Sequence, residues 1–326
     1  MQFKSSRLAL ALIGLLSAFA NVPSYGADKV ILQREWTANA EFAGDVWAAK
    51  LATASGLNLE VHEGSDVIDP LKMVRSGNAQ FGVASADRVL RENEAGGDLV
   101  IIGAATYRSP VVFLTKAGLG ITAPSQFAGR TVGIQPGTNT ELVFQALLQA
   151  QKLSSKQMKV VDAGWGTQLF ETGRLDVLGA FAYDEPISLA LKKFAIGQTI
   201  APEDFGVRYV GTVYFTTKRL ARTQPQVVQQ FMDALEEGWK KALADPATAM
   251  NMLAEKFNSV RTNLEKERQS FDAGRSYFAG EGGRILYAGT ERWLAMTDSM
   301  RALGKLKSFN FEENVDYRFL EHSEKK

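Results

Sequence analysis

The sequence predicts an α/β protein built as two lobes. Three observations carry this. Between Lys29 and Gly103, short apolar runs alternate with amphipathic stretches as strand, helix, strand, helix, strand, the pattern of a parallel sheet covered by helices. A smaller unit of the same kind runs from Val111 to Phe181. The chain has 326 residues, which makes two domains the natural expectation, and 45% hydrophobic with 22% charged residues is a globular composition.

In the first unit, strands are expected at Lys29–Gln33, Leu57–His62, Gln80–Ala84 and Leu99–Gly103. Helices are expected between them at Glu41–Ala54, Asp66–Arg75 and Asp87–Glu94. Gly56 ends the first helix, and Pro70 sits in an early turn of the second. Parallel sheets bind ligands beyond the carboxyl ends of their strands. Trp36–Asn39, Ser85–Asp87 and Ala105–Arg108 are therefore expected at one rim.

The second unit opens with a strand at Val111–Thr115 and a turn at Gly118–Gly120. Its best-defined stretch is Ala128–Leu153: a strand at Arg130–Ile134, a turn at Gln135-Pro136-Gly137, and a helix capped by Thr138-Asn139-Thr140 that runs from Glu141 to Ala150. The start of such a helix presents free N–H groups that suit a ligand's acceptor atoms. No Gly-Lys-Ser/Thr follows, so this is not a phosphate loop. Strands at Met158–Asp162 and Asp176–Phe181, helices at Gln168–Gly173 and from Pro186, and an extended Tyr209–Thr216 complete the unit.

From Gln224 onward the pattern is helical, with Thr223 as a cap and Pro225 in the first turn. Val228, Phe231, Met232, Leu235 and Trp239 form an apolar stripe that reads as core. Asp245-Pro246 starts a helix through Phe257, and Leu264–Gly274 and Glu291–Leu303 are further helices, the last stopped by Gly304.

At the N-terminus, Lys4 and Arg7 precede an apolar Leu8–Ala20 and small residues at Ala18/Ala20 and Ser24/Gly26. This reads as a cleaved signal peptide, residues 1–26, whose apolar run is too short to span a membrane. Without a cysteine no lipid can be attached there, so the expected location is the periplasm.

A net charge of +1 gives no nucleic-acid footprint. The absence of cysteine excludes thiol catalysis, disulfides and cysteine-bound metals. The two histidines, His62 and His322, are poor material for a metal site or a Ser-His triad. No acid–base pair or nucleophile motif is present, so binding without catalysis and without a cofactor is expected.

The candidate ligand contacts each have a structural counterpart. Trp36 is a stacking face or a half-buried rim residue. Asn39 is a donor and acceptor or a helix cap, and Ser85 and Asp87 follow a strand where capping and binding are compatible. Gly137, Thr138, Asn139 and Thr140 offer backbone N–H groups. Glu185, with Tyr183 beside it, ends a strand and would hold an amine or ring N–H, or else is a solvated first-turn acid. Tyr107 and Arg108 could face the cleft, where an arginine would suit a sulfonate or carboxylate. Trp165, between Gly164 and Gly166, is either a lid or a packed loop residue.

Three segments carry a family resemblance. Glu35-Trp36-Thr37-Ala38-Asn39 with Ala43-Gly44 resembles the opening Asp-Trp-Thr-Pro-Asn…Ala-Gly of thiamine-pyrimidine-precursor binding proteins. Residues 124–138, PSQFAGRTVGIQPGT, resemble the corresponding run of periplasmic solute-binding proteins at large, and residues 173–186, GRLDVLGAFAYDEP, resemble the subfamily's run ending in Asn-Glu-Pro. Relatives take up nitrate, alkanesulfonates, taurine or riboflavin. Trp36, Asn39 and Glu185 fall on the subfamily's ligand-contact motifs, and Gly137 and Thr138 on the general glycine-threonine turn. The subfamily's histidine is Phe42 here and its proline is Ala38; an apolar ring at that place would favour a larger or more apolar aromatic. Related synthases make the pyrimidine from that histidine and pyridoxal phosphate, and Phe42, the lack of cysteine and the signal peptide argue against that chemistry.

The resemblance implies a two-lobed type-2 periplasmic binding protein fold with a ligand cleft between the lobes. Lobe 1 would comprise residues 27–112 and 215–326, and lobe 2 residues 113–214. The implied function is a monomeric receptor that captures a small nitrogen-heteroaromatic solute, such as a thiamine pyrimidine precursor, and presents it to an ABC transporter permease at the inner membrane. The alternative is an anion receptor of the sulfonate, taurine or nitrate type that uses Arg108 and the helix start at Thr138–Thr140.

Overall fold

A computed structural model describes residues 29–321; the expected signal peptide and His322 lie outside them. Strands β1 (Val30–Gln33), β2 (Leu59–His62), β3 (Phe81–Ser85) and β4 (Leu99–Ala104) belong to one sheet. Strands β5 (Val111–Lys116), β6 (Thr131–Ile134), β7 (Lys159–Asp162), β8 (Val177–Phe181) and β9 (Ile196–Ile200) form a second. The last strand, β10 (Thr212–Thr217), returns to the first sheet, whose order is β2-β1-β3-β10-β4; the second has the order β7-β6-β8-β5-β9.

The sheets are mixed, not wholly parallel. β2, β1 and β3 run parallel, as do β7, β6 and β8. β10 is antiparallel to both β3 and β4, and β5 is antiparallel to β8 and β9. The crossings between sheets explain this. Parallel strands end at the edge that faces the other lobe. A strand fed directly from that lobe starts at the same edge and has to run the opposite way. Val111 and Val112 already pair in the second sheet, and Thr212–Tyr214 in the first, so both crossings come before the expected boundaries at 112/113 and 214/215. β9, a short and largely exposed edge strand, had no clear sequence signal.

Helices α1 (Ala43–Ala54), α2 (Pro70–Arg75) and α3 (Ala86–Glu94) belong to the first lobe. The second carries α4 (Asn139–Ala150), α5 (Gln168–Glu171) and α6 (Glu185–Leu191). α2 starts later than the expected Asp66 because Asp69 caps it, its Oδ1 accepting the Leu71 N–H at 3.0 Å, with Pro70 at the first helical position. In α4, Asn139 and Thr140 are already helical and only Thr138 precedes them.

The chain returns to the first lobe as α7 (Lys218–Thr223), α8 (Pro225–Ala244), α9 (Pro246–Lys256), α10 (Asn258–Thr262), α11 (Leu264–Phe278) and α12 (Thr290–Ala302). α7 was not expected, and it corrects the assignment of Thr223 as a cap: the Thr223 hydroxyl donates back to the Arg219 carbonyl. The stripe of α8 is buried throughout, with Phe231 stacked on Phe81 of β3 at a centroid distance of 3.8 Å.

α1 and α8 meet backbone to backbone. A Cβ on Gly238 would lie 2.5 Å from the Gly44 carbonyl oxygen and 2.7 Å from the Ala48 nitrogen. Helix propensity alone favours alanine over glycine by about 1 kcal/mol. Gly238→Ala is nevertheless expected to destabilise by about 1–3 kcal/mol, because backbone atoms cannot swing aside. Thermal unfolding should show a melting point lower by several degrees; an unchanged or higher one would mean that the two helices part freely.

Candidate ligand cleft

The first-lobe wall depends on the loop between β1 and α1. Arg34 leaves β1 and turns inward, where it is buried. Its Nε lies 2.8 Å from Asp45 Oδ2, its Nη2 donates to the Glu41 carbonyl at 2.9 Å, and its guanidinium sits 4.3 Å above the Phe42 ring. The loop is tied further along: the Trp36 carbonyl accepts the Gly64 N–H at 2.8 Å, and the Ala38 N–H donates to Glu63 at 2.9 Å. With the backbone held at both ends, the Trp36 indole stands out from the loop, 38% exposed.

Phe42 takes no part in the cleft. It is 1% exposed, packed beneath Arg34 and edge-on to Phe257 at 5.5 Å. The expectation that its ring favours a larger or more apolar aromatic ligand therefore loses its basis: Phe42 is packed in the core.

The second-lobe wall follows β7 and β8. Trp165 stands on the loop after β7, and Asp184 and Glu185 follow β8 at the start of α6. A cleft of about 670 Å³ is lined by Trp36 from the first lobe and by Trp165, Thr167, Glu171, Asp184, Glu185 and Lys192, among others, from the second. Glu171 accepts from Lys192 at 2.7 Å and from the Thr167 hydroxyl, bonds that hold its carboxyl below the usual range. Asp184 pairs with Lys266 of α11 at 2.8 Å. Glu185 accepts the Phe181 N–H at 2.7 Å, and burial, aided by the neighbouring Asp184 charge, pushes its carboxyl up to about 7. No arginine is among the residues that line the cleft.

Of the residues singled out from sequence, Trp36, Trp165 and Glu185 meet in this cleft. The remaining candidates are placed elsewhere. Asn39 caps the turn at Ala40–Phe42, its Oδ1 accepting the Glu41 N–H at 2.9 Å. Ser85 is buried ahead of α3, its N–H donating to Glu35. Gly137 turns with φ 76° and donates to Glu141 at 2.8 Å, Thr138 bonds back to the Gln135 carbonyl, and Thr140 is buried against Gly179. Tyr107 lies at the crossing between lobes, against the guanidinium groups of Arg108 and Arg292. Arg108 is there too, 3.3 Å from Glu203 and 4.3 Å over the Tyr277 ring.

Three of these residues instead hold the lobes together. Asp87, fully buried, accepts from Arg91 at 2.7 Å and from Asn139 of the second lobe at 3.0 Å. Tyr183 is buried against Tyr277 and Phe278, and its hydroxyl donates to Glu41 of the first lobe at 2.8 Å. Sequence reasoning missed Thr167, Glu171 and Lys192, which carry no local motif; Trp165 was marked only by its flanking glycines.

Comparison with known proteins agrees with this architecture. The family model described as NMT1/THI5 like matches residues 42–249. A Haemophilus influenzae protein named, provisionally, for thiamine biosynthesis is 25% identical over 259 residues, covering 77% of this chain and 81% of that one. A solved structure from Methylobacillus flagellatus, provisionally titled as the periplasmic sulfonate-binding protein SsuA of a sulfonate ABC transporter, superposes with a TM-score of 0.65 at 15% identity, covering 91% of this chain and 94% of its own. The desulfurization enzyme DSZB superposes with a TM-score of 0.60 at 15% identity, covering 91% and 99%. At these identities the structural matches speak for the fold.

Proposed function

The chain belongs to the NMT1/THI5-like family and has the two-lobed fold of periplasmic binding proteins, and from this we propose that it is the substrate-binding component of an ABC importer that captures a small, flat nitrogen heteroaromatic. One observation carries the ligand class: the cleft sets an exposed indole beside three carboxylates, Glu171, Asp184 and Glu185, with Lys192 as the cation lining it. An indole face attracts a flat ring and also a cation. A carboxylate accepts from an amine or ring N–H. An aminopyrimidine of the thiamine-precursor kind has both features.

In this reading the protein is exported by residues 1–26, works as a monomer in the periplasm and delivers its ligand to a permease at the inner membrane. Capture and release follow hinge motion of the lobes, with no reaction. Support for a sulfonate comes from the likeness to SsuA. The cleft offers an anion little: Lys192 and Lys266 are engaged by Glu171 and Asp184, and Arg108, the arginine assigned to that role, is engaged by Glu203 at the crossing. Calorimetry with an aminopyrimidine and with taurine decides between the two. Heat with the aminopyrimidine alone is expected; heat with taurine alone overturns the proposal.

A further inference from the structure

The two indoles that touch across the cleft come from different lobes. Trp36 follows β1 and Trp165 follows β7, their ring centroids are 4.8 Å apart, and their planes are tilted by 40°. Trp165 is 66% exposed, which is unusual for so large an apolar surface. We infer that Trp165 is the mobile wall of a two-indole clamp, in which a flat ring enters between Trp36 and Trp165 and replaces their mutual contact by a stack on each face. This deepens the ligand reading given above and rests on it.

The backbone says which indole moves. Trp36 is fixed by the Gly64 N–H on its own carbonyl, and neighbouring residues of its loop bond to Glu63 and Ser85. Trp165 is flanked by Gly164 at φ 60° and Gly166 at φ 91°, left-handed conformations that glycine enters and leaves without steric cost. The loop's own bond, from the Gly164 N–H to Asp162, lies on the β7 side and leaves the indole's pivot free.

The geometry also says why a ligand would win. A tilt of 40° prevents the two indoles from stacking fully on each other. Two faces stacked on an inserted ring need a separation of roughly 7 Å, twice the contact distance of carbon atoms. Opening from 4.8 Å to that spacing is a small displacement for a glycine-flanked loop. A saturated ring is too thick for the same slot and gains no stacking.

The test uses the mature protein and its Trp165→Ala and Trp165→Phe variants, with an aminopyrimidine and cyclohexylamine as probes in calorimetry. Trp165 is exposed, so neither change threatens folding, and circular dichroism verifies this. Trp165→Ala should bind the aminopyrimidine roughly tenfold more weakly and cyclohexylamine less than threefold more weakly, and Trp165→Phe should recover most of the loss, as expected for one stacking face. Equal affinity of Trp165→Ala and wild type for the aminopyrimidine overturns the clamp and leaves the ligand class standing. Equal losses for both probes also overturn it, because Trp165 is then a wall without preference for flatness. Absence of aminopyrimidine binding by the wild type overturns the ligand class, and the clamp with it.

Discussion

Replacement of Asp45 by asparagine is expected to lower the melting temperature by about 10 °C. Asp45 is fully buried on α1, with Oδ2 2.8 Å from Arg34 Nε and Oδ1 accepting the Tyr214 hydroxyl at 2.5 Å. Trp239 of α8 donates to the same hydroxyl at 2.9 Å. Side chains from the β1–α1 loop, α1, β10 and α8 are thus linked in one buried network around the Asp45 carboxylate. Asparagine keeps the shape and removes the charge, leaving the Arg34 guanidinium in the core. Glu41 is the other carboxylate near it, with Oε2 3.7 Å from Nη1.

Stranding one member of a buried ion pair costs about 3–5 kcal/mol. In a chain of this size each kcal/mol moves the melting point by about 2–4 °C. Calorimetry or circular dichroism measures the shift, and a change of less than 2 °C would refute the argument. The double change Arg34→Met with Asp45→Leu should recover at least half of the loss, since it removes both charges. The consequence reaches function, because Arg34 also anchors the loop that presents Trp36.

The second large effect concerns Glu185. Its carboxyl is pushed up to about 7, first by burial and then by Asp184. A ligand that donates an N–H, or carries a positive charge, binds the ionised form. Above pH 8 affinity should be nearly level, and from pH 7 to pH 6 it should fall about fivefold, because the site has to release a proton to bind. The probe must keep its own charge across this range, as an N-methylated aminopyridinium does. Glu185→Gln should bind this cation at least tenfold more weakly above pH 8 and show no step near 7. A wild-type affinity that stays constant from pH 5 to 9 would remove Glu185 from the site.

Linkage gives the free protein the opposite trend. The folded state holds the Glu185 proton more tightly than the unfolded chain, whose ordinary value is 4.5. The stability this contributes is complete below that value and is lost as the pH rises through about 7. Ligand-free stability should therefore decline across the window in which ligand affinity rises, and Glu185→Gln should flatten both curves.

Local pattern was enough for much of this molecule. The apolar stripe of α8 specified a buried helix face, and all five of its residues are at most 1% exposed. The runs at Val30–Gln33, Leu99–Ala104 and Val177–Phe181 specified strands because buried β-branched and aliphatic residues leave few alternatives. Strand ends then placed Trp36, Trp165 and Glu185 at one cleft, since these residues follow the carboxyl ends of β1, β7 and β8.

Tertiary structure decided the rest. The period of a strand says nothing of its direction, so the reversal of β10 between β3 and β4 follows from where the chain re-enters the lobe. Asn139 has the local pattern of a cap or ligand donor, yet it bonds to Asp87, fifty-two residues away. Phe42 stands where relatives of the resembling subfamily place an imidazole, and only packing against Arg34 and Phe257 turns it into core. Trp165 was marked by two glycines, but its partner lies on the other lobe. A sequence determines what its neighbouring residues settle among themselves: periodicity, caps and turns. Contacts such as Tyr214 to Asp45, separated by 169 residues, depend on the whole chain's path and exist only once the chain has returned to the first lobe.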